Sequence, residues 1–321
     1  MSDKPIKVSI LCNTYNHEKT IKSTLDGFIS QKVNFTYEIC IHDDASSDKT
    51  VQILKDYKTK YPDLFKLILE KENQFNKRKI IMELNTSQAN GEYLAVCDGD
   101  DVWTDPYKLQ KQANILDQDP EVSLVISAYT QVSLSSLFKP RLIQFYPTDT
   151  LLTLEDILSI PHRSYGYHTY MFRGKDKLMP DSFRTLRFTD LPRLLYSAFI
   201  GKIYYMKDPT ALYRRGLPHS WSMNQIKNRE TVIDNQVRLQ AFYTDLDKTT
   251  QRKYHEFIQR RIALSELNIS LKQRDKRKFF LLLKEPQLDY LSNDLKRRMI
   301  NEIHHPFLYP LYRSLRMKYW K

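Results

Sequence analysis

Short apolar runs alternate with helix-like patterns along the first 120 residues of the chain. Four runs have the length and the β-branched content of strands: residues 7–13, 37–42, 65–70 and 92–97. Between them apolar residues recur at helical spacing, as in Ile21, Leu25, Phe28 and Ile29. Strands that alternate with helices in this way predict an α/β fold with a mostly parallel central sheet and helices on both faces.

Polar loops follow three of these strands. Their sequences are CNTYN (12–16), HDDASSD (42–48) and CDGDDVW (97–103). Right-handed crossovers bring the carboxyl ends of parallel strands to one edge of a sheet, where ligands bind in such folds. None of the three loops has the glycine-rich pattern of a dinucleotide-binding or P-loop protein. We therefore expect a ligand site at this edge that depends on carboxylates.

The third loop gathers three like charges, Asp98, Asp100 and Asp101, directly after a buried strand. Carboxylates this close repel one another unless water, basic side chains or a cation compensates them. A Mg²⁺ or Mn²⁺ ion held by one or two carboxylates and by substrate phosphates would do so. The alternative is an acidic turn whose TDP segment (104–106) caps the next helix. From spacing alone the two interpretations are about equally supported.

The net charge of the chain limits the classes of partner that we expect the protein to bind. The chain carries 50 Lys and Arg against 38 Asp and Glu, a net charge of +12. Proteins that bind nucleic acid, an anionic membrane or a phosphorylated substrate have such a balance. No zinc spacing, helix-turn-helix pattern or RNA-binding aromatic motif accompanies it, so we expect no nucleic-acid partner. The basic, aromatic stretch 294–321 indicates a solvated helix face or an anchor at an anionic membrane surface.

Cysteine usage and hydropathy indicate the compartment. Cys12, Cys40 and Cys97 lie in apolar runs without metal-binding spacing, as expected of buried thiols in a reducing environment. No run approaches the roughly 20 apolar residues of a membrane-spanning helix, and no signal peptide is visible. We expect a cytoplasmic protein, or one bound peripherally to the inner face of the cell membrane.

The composition changes near residue 224. Beyond it the chain is rich in Leu, Lys, Arg and Gln at helical spacing, which predicts four or five helices packed together. We therefore expect two domains, one over residues 1–224 and a helical C-terminal domain over 225–321.

Three segments resemble a known family. VSILCNTYNHEKTI, YEICIHDDASSDKT and GEYLAVCDGDDVWTDPYKLQKQ are similar to the nucleotide-sugar-binding half of inverting family 2 glycosyltransferases with the GT-A fold. The resemblance is closest to bacterial members that build cell-surface polysaccharides. It continues more weakly through FTDLPRLLYSAFIGKIYYMKDPTALYRRGLPHSWS and ends near Ser222. It thus covers about two-thirds of the chain. The resemblance implies that residues 1–224 form the catalytic domain, with a nucleotide-sugar-binding half (1–115) and a half that contributes the acceptor side and the base (116–224).

The resemblance implies roles for residues of the donor side. Its donor contacts are Thr14, Tyr15, Asn16, Asp44, Arg78, Asp98, Arg214 and His219. Among these, Thr14 and Tyr15 line the nucleobase pocket, and Asp44 accepts a hydrogen bond from a base N–H, which suits uracil. Asp98, Asp100 and Asp101 hold the ribose and a Mn²⁺ or Mg²⁺ ion, with the last two nearest the metal. Packing of Tyr15, helix capping by Asp44 and solvation of Arg78 are the structural alternatives.

The resemblance also implies a catalytic base. Asp190 matches the carboxylate that removes the acceptor proton, although before Leu191-Pro192 it also suits a helix cap. Family members usually carry histidine where this chain has Gly216, so His219 or the arginines Arg214 and Arg215 would take over the contact with the diphosphate. The aromatic segment 162–170 is either an acceptor-sugar subsite or a packed strand edge.

Together these features predict a metal-dependent enzyme. It would move a hexosyl or N-acetylhexosaminyl group from a UDP-linked donor to a hydroxyl of a growing, lipid-linked surface glycan, with inversion. Two alternatives remain open. The chain could be an inactive nucleotide- or glycan-binding relative that serves as an assembly platform, or a transferase whose acceptor is a protein Ser or Thr.

Overall fold

The computed structural model describes residues 5–77, 80–133, 139–159, 165–184, 186, 190–217 and 229–305. These residues form two compact units, one containing the described residues up to 217 and the other residues 229–305. The predicted domain boundary at residue 224 lies outside the described residues.

A single mixed sheet organises the first unit. Its strands are β1 (Val8–Thr14), β2 (Tyr37–Asp43), β3 (Phe65–Leu69), β4 (Tyr93–Val96), β5 (Val102–Trp103), β6 (Val122–Ser133), β7 (Arg141–Ile143), β8 (Thr150–Leu152), β9 (Met171–Arg173) and β10 (Lys202–Arg215). Their order is β3-β2-β1-β4-β9-β6-β10-β5, with β7 beside β6 and β8 beside β10. Strands β1 to β4 pair in parallel, as predicted, and β9 runs antiparallel between β4 and β6.

The helices of this unit are α1 (Ile21–Ile29), α2 (Thr50–Lys60), α3 (Ile81–Thr86), α4 (Lys108–Gln118), α5 (Leu154–Ser159) and α6 (Asp190–Ile200). The apolar face of α1 packs into the core, where the Phe28 ring lies edge-on to Trp103 with 4.7 Å between centroids. Cys12, Cys40 and Cys97 are buried and unpaired, as predicted. Burial raises the pKa of each of these thiols, which keeps them protonated.

The second unit is helical. It contains α7 (Arg229–Thr249), α8 (His255–Gln273), α9 (Lys276–Leu282) and α10 (Asn293–His304). Leu267, Phe279 and Leu288 lie at the centre of a separate core. Helix α10 begins where the Ser292 hydroxyl accepts a hydrogen bond from the Leu295 N–H at 3.2 Å. Across the described ranges, no helix has the length and apolar character needed to cross a membrane.

Candidate active site

The three polar loops meet at the carboxyl ends of β1, β2 and β4, as the sequence predicted. The Asp44 N–H donates to the Thr14 carbonyl at 3.0 Å, and the Gly99 N–H donates to the Asn13 carbonyl at 2.9 Å. These bonds continue the pairing of adjacent parallel strands beyond their ends. The acidic loop is therefore fixed against the loop that follows β1.

Gly99 makes this close approach possible. A Cβ atom at residue 99 would lie 2.8 Å from both the Thr14 hydroxyl oxygen and His17 Nδ1. Both of these polar atoms are buried and have no hydrogen-bond partner among the described residues. Burial also lowers the pKa of His17 to about 4, so its imidazole is neutral at physiological pH. The sequence reasoning missed His17, since nothing in its spacing distinguishes it from a solvated loop residue.

Burial and mutual repulsion disfavour the charged forms of Asp98 and Asp100. Asp98 Oδ1 is buried and has no partner among the described residues. Burial raises the pKa of Asp98 to about 7, and the Asp101 charge adds to the rise. The pKa of Asp100 is raised well above its ordinary value, first by burial and then by the charges of Asp101 and Asp98. These two carboxylates therefore lie where a cation would be strongly favoured.

Asp101 differs from its neighbours because the protein engages both of its carboxylate oxygens. Oδ1 accepts a hydrogen bond from the Arg214 backbone N–H at 3.1 Å, and Oδ2 lies 3.2 Å from His168 Nδ1. The residue is 6% exposed. Asp101 thus ties the acidic loop to β10 and to the short 3₁₀ turn Tyr167–Thr169.

The Arg214 guanidinium spans three elements. It donates to the Asp100 carbonyl at 3.0 Å and to the Ser23 hydroxyl of α1 at 2.7 Å. A guanidinium has five N–H donors, so a contact with the donor diphosphate is compatible with these bonds. That contact stays a prediction, and what the structure establishes is that Arg214 braces the acidic loop.

His168 is a residue of the site that the sequence analysis did not single out. Its ring stacks on Tyr213, with centroids 5.7 Å apart and planes 4° apart, and Tyr129 meets it edge-on. Its carbonyl accepts a hydrogen bond from the Trp103 indole at 2.8 Å. The sequence predicts that segment 162–170 is either an acceptor-sugar subsite or a packed strand edge. The imidazole of His168 in this segment is buried and lies against Asp101 of the acidic loop. Only the tertiary contact with Asp101 reveals it.

The loop after β1 offers both an exposed ring and an ordered backbone. Tyr15 is 42% exposed, so its ring is available for stacking. Asn16 adopts a positive φ of 55°, and its side-chain oxygen accepts a hydrogen bond from the Ser47 N–H at 2.8 Å. Asn16 therefore orders two neighbouring loops in the free protein, and its contact with a nucleotide sugar remains a prediction.

Asp44 is also engaged within the protein. Its two carboxylate oxygens accept hydrogen bonds from the N–H groups of Gln74 (2.6 Å) and Phe75 (3.1 Å) in the loop after β3. The turn-capping role belongs to Asp43, whose Oδ1 accepts from the Ser46 N–H at 2.9 Å. The remaining lone pairs of Asp44 could still meet a base N–H, as the resemblance implied.

Asp190 is the first residue of α6. Burial raises the pKa of its carboxyl, while hydrogen bonds from its own and the Leu191 backbone N–H oppose the rise. Burial raises the pKa of Tyr170, and the charge of Asp190 adds to the rise. The Tyr170 carbonyl accepts a hydrogen bond from the Val96 N–H at the end of β4. Asp190 thus acts electrostatically on a residue that is hydrogen-bonded to the strand preceding the acidic loop. Arg78 and His219 lie outside the described residues.

The acidic loop can offer a few ligands to a divalent cation. Within the described part of the chain, no group of three or more His, Cys, Asp or Glu side chains is arranged as a complete metal site. The unpartnered Asp98 oxygen and the raised pKa values of Asp98 and Asp100 nevertheless fit a cation. Mg²⁺ and Mn²⁺ often take only one or two ligands from a protein and the rest from substrate phosphates and water. The residues present suit that mode of binding.

The sequence model of "Glycosyl transferase family 2" matches residues 9–187, more than half of the chain. The chain belongs to the family 2 glycosyltransferases. The match contains all three loops of the candidate site, and it confirms the family that the quoted segments resembled.

Curated relatives of this glycosyltransferase match over a limited length. The uncharacterized protein Rv1520 of Mycobacterium tuberculosis is 44% identical over 120 residues, which are 36% of this chain and 33% of the relative. The chain therefore spans about a third of the length of this relative. The substrates and partners of this chain therefore stay proposals.

Solved structures support the GT-A fold. Residues 1–349 of TarS from S. aureus, in complex with UDP-GlcNAc, align with a TM-score of 0.54 and 16% identity, covering 94% of this chain and 92% of that chain. The mannosyltransferase PcManGT from Pyrobaculum calidifontis, in complex with GDP-Man and Mn²⁺, gives 0.52 and 14%, with 99% and 85% covered. At such identities the likeness concerns the fold alone. The predicted GT-A fold with a helical C-terminal extension is confirmed.

The ionised carboxylate of Asp98 should lower the stability of this folded glycosyltransferase at neutral and higher pH. The pKa of Asp98 in the fold is about 7, above the unfolded value near 3.9. The folded state then binds more protons between these values, so the metal-free enzyme loses stability as pH rises from about 4 to 7. Asp98→Asn should remove the contribution of Asp98 to that loss and stabilise the protein at pH 8 by on the order of 2–4 kcal/mol.

Urea denaturation with EDTA at pH 4.5 and pH 8 measures this effect. Asp63→Asn, at an exposed position, is the matched control and should follow the wild type. If Asp98→Asn retains the wild-type pH dependence, the Asp98 carboxylate is compensated in the folded protein and the assignment of its raised pKa is wrong.

Proposed function

We propose that this glycosyltransferase moves a sugar from a UDP-linked donor to a hydroxyl of a growing, lipid-linked surface glycan, with inversion at the anomeric carbon. The proposal rests on one observation, which is that the carboxylates of the site form two separate groups. Asp98 and Asp100 lie together at the sheet edge with raised pKa values, and Asp190 lies separately at the start of α6. One transfer needs a cation site for the leaving diphosphate and a free base for the attacking hydroxyl.

The donor side is proposed to hold the nucleotide over the loop after β1. The exposed ring of Tyr15 is available to stack on the base, and Asp44 lies at the end of the adjacent strand. A carboxylate acceptor suits the N3–H of uracil, which favours UDP. The solved neighbours were captured with UDP-GlcNAc and with GDP-Man, so GDP is the alternative to exclude.

Asp98 and Asp100 are the residues proposed to hold Mn²⁺ or Mg²⁺. A divalent cation bound there would offset the negative charge that develops on the leaving phosphate. The resemblance implied that Asp100 and Asp101 lie nearest the metal. Because its oxygens already contact Arg214 and His168, we assign Asp101 instead to positioning the loop that carries the other two.

Asp190 is proposed to act as the general base. The acceptor hydroxyl oxygen forms a bond to the anomeric carbon while the bond from that carbon to the diphosphate oxygen breaks, and Asp190 receives the hydroxyl proton. A single displacement of this kind inverts the anomeric configuration. Burial raises the pKa of Asp190, and a base is more effective when its pKa approaches the working pH.

The acceptor is proposed from the protein's family and charge. The resemblance to bacterial surface-polysaccharide enzymes supports a lipid-linked glycan, and a net charge of +12 supports work beside an anionic cytoplasmic leaflet. A protein Ser or Thr acceptor is the second candidate. An inactive binding relative is disfavoured, because both carboxylate sites retain their acids.

A donor screen tests the proposal. Unfolding temperatures are measured with UDP, GDP and their sugar conjugates, with and without Mn²⁺, since a ligand that binds only the folded state raises the apparent stability. UDP conjugates with Mn²⁺ should give the largest shifts and should be hydrolysed slowly. A larger shift with GDP would overturn the donor assignment, and bound nucleotide without any turnover would favour the inactive alternative.

A further inference from the structure

Helix α9 presents two contrasting faces. Phe279 and Leu282 point into the core of the helical unit and are 0% and 4% exposed. An open surface groove is lined by Lys276, Arg277, Phe280 and Leu281 of the helix and by Lys284 just after its end. Phe280 is half-buried and also packs against the core, whereas Leu281 does not. These five residues are called the α9 ridge. Leu281 is 68% exposed, the largest fraction among the large apolar side chains of the described residues.

Among the described residues, the cations of the α9 ridge have no acidic partners. Within the described ranges Lys276, Arg277 and Lys284 form no ion pair, whereas Lys272 nearby pairs with Glu302. Residues 274–285 contain five basic and two acidic residues. One of the acids, Asp275, accepts a hydrogen bond from the Lys278 N–H at 2.9 Å and so caps α9. The ridge therefore keeps positive charge for an external anion.

We propose that the α9 ridge docks this enzyme on an anionic lipid bilayer. An apolar side chain flanked by Lys and Arg suits the interface, where leucine enters the acyl boundary and the cations meet lipid phosphates. The inference rests on the proposed function in one respect, since a lipid-linked acceptor requires the enzyme to work at a membrane.

Two other occupants of the α9 ridge fit the observations less well. A soluble polyanion would use the cations but gains nothing from a leucine that is 68% exposed. The chain's own residues 306–321 contain four basic and no acidic residues, so like charge opposes their binding there. The ridge lies beside the end of α10, where the Phe280 and His304 rings are 5.5 Å apart. Residues 306–321, which form most of the predicted anchoring stretch 294–321, lie outside the described residues.

Vesicle sedimentation of the full-length protein tests the proposal. The probes are vesicles of phosphatidylcholine with phosphatidylglycerol and vesicles of phosphatidylcholine alone. Each basic residue near an anionic leaflet strengthens binding about fivefold. Lys276→Gln with Arg277→Gln should therefore weaken binding to anionic vesicles about 25-fold. Lys55→Gln with Lys60→Gln removes the same charge from exposed positions of α2 and should have far less effect.

A matched pair of leucine variants tests the apolar contact with the bilayer. Leu281→Gln should weaken binding several-fold, and this loss should persist at high salt because screening does not act on apolar burial. Leu178→Gln, at a leucine that is 65% exposed in the first unit, should leave binding unchanged. If the two leucine variants behave alike while the charge variants weaken binding, the ridge is a polyanion site and the lipid proposal is wrong.

Two further measurements test the segment 306–321 and the enzymatic activity. Glutamine at Arg313, Arg316, Lys318 and Lys321 tests the segment 306–321, and if it abolishes binding while the α9 variants do not, the docking surface is misassigned. UDP-sugar hydrolysis in solution is measured for every variant. Loss of vesicle binding with intact hydrolysis supports the docking site. Intact hydrolysis with no vesicle binding by the wild type rejects docking alone, and vesicle binding without hydrolysis rejects the proposed function alone.

Discussion

Replacing Asp190 with asparagine should lower the rate of sugar transfer by roughly 10²- to 10⁴-fold, the usual contribution of a general base. The affinity for the donor should change no more than a few-fold, because the proposed role of Asp190 concerns the acceptor proton. The substitution keeps the side-chain size, so the start of α6 and its backbone hydrogen bonds should survive. Asparagine cannot take up the proton at physiological pH, and the displacement then loses its base.

The pH profile separates a base from a structural carboxylate. The wild-type rate should rise with pH through the raised pKa of Asp190, because only the ionised carboxylate accepts a proton. Asp190→Asn should lack this rising limb, whereas the exposed control Asp63→Asn should keep it. Transfer by Asp190→Asn at the wild-type rate would remove this residue from the mechanism. A lower rate with an unchanged pH profile would make it a structural residue.

Asp100→Asn should lower transfer by roughly 10³-fold, since a cation on the leaving phosphate contributes several kcal/mol to the transition state. Removing this carboxylate should also weaken UDP binding and its dependence on Mn²⁺. The substitution should not destabilise the folded protein. Burial and two neighbouring carboxylates raise the pKa of Asp100, so its ionised form is unfavourable in the fold. Loss of activity at unchanged or higher thermal stability would therefore identify a site residue.

Asp105→Asn is the matched control for this experiment. Asp105 lies in the same acidic segment, yet its carboxylate pairs with Lys111 at 2.7 Å and accepts from the Tyr107 N–H. Its removal should leave the dependence of turnover on Mn²⁺ concentration unchanged. If Asp100→Asn retains UDP binding and turnover, and EDTA has no effect on the wild type, the proposed cation site is wrong.

The order of strands and loops along the chain was sufficient to predict the sheet edge at which the polar loops meet. Apolar runs of strand length alternate with amphipathic helices, and right-handed parallel connections leave one arrangement for the polar loops. The meeting of the loops after β1, β2 and β4 follows from this local pattern. The sequence did not predict the antiparallel insertion of β9 between β4 and β6, because a three-residue strand has too short a pattern to distinguish its direction.

The sequence also identified the acidic residues of the site but not their separate environments. Asp98, Asp100 and Asp101 are chemically identical in sequence, and their difference arises from distant residues. Arg214 and His168, 113 and 67 positions along the chain from Asp101, hold its two oxygens. Asp98 keeps an oxygen without a partner among the described residues. Which carboxylate braces the loop and which remains for a ligand is therefore decided only by the tertiary structure.

The same distinction applies to the helical unit. Helical spacing predicted the helices after residue 224, since amphipathic periodicity is a local property of the chain. It did not show which side of KRKFFLLLK faces the core, because three consecutive leucines follow two phenylalanines. Packing buries Phe279 and Leu282 and leaves Leu281 in solvent among cations. The sequence by itself thus determined the fold class, the polar edge and the acidic cluster, which depend on local pattern. The tertiary structure alone decided the partners of each buried charge and the exposed side of α9, which depend on contacts between distant residues.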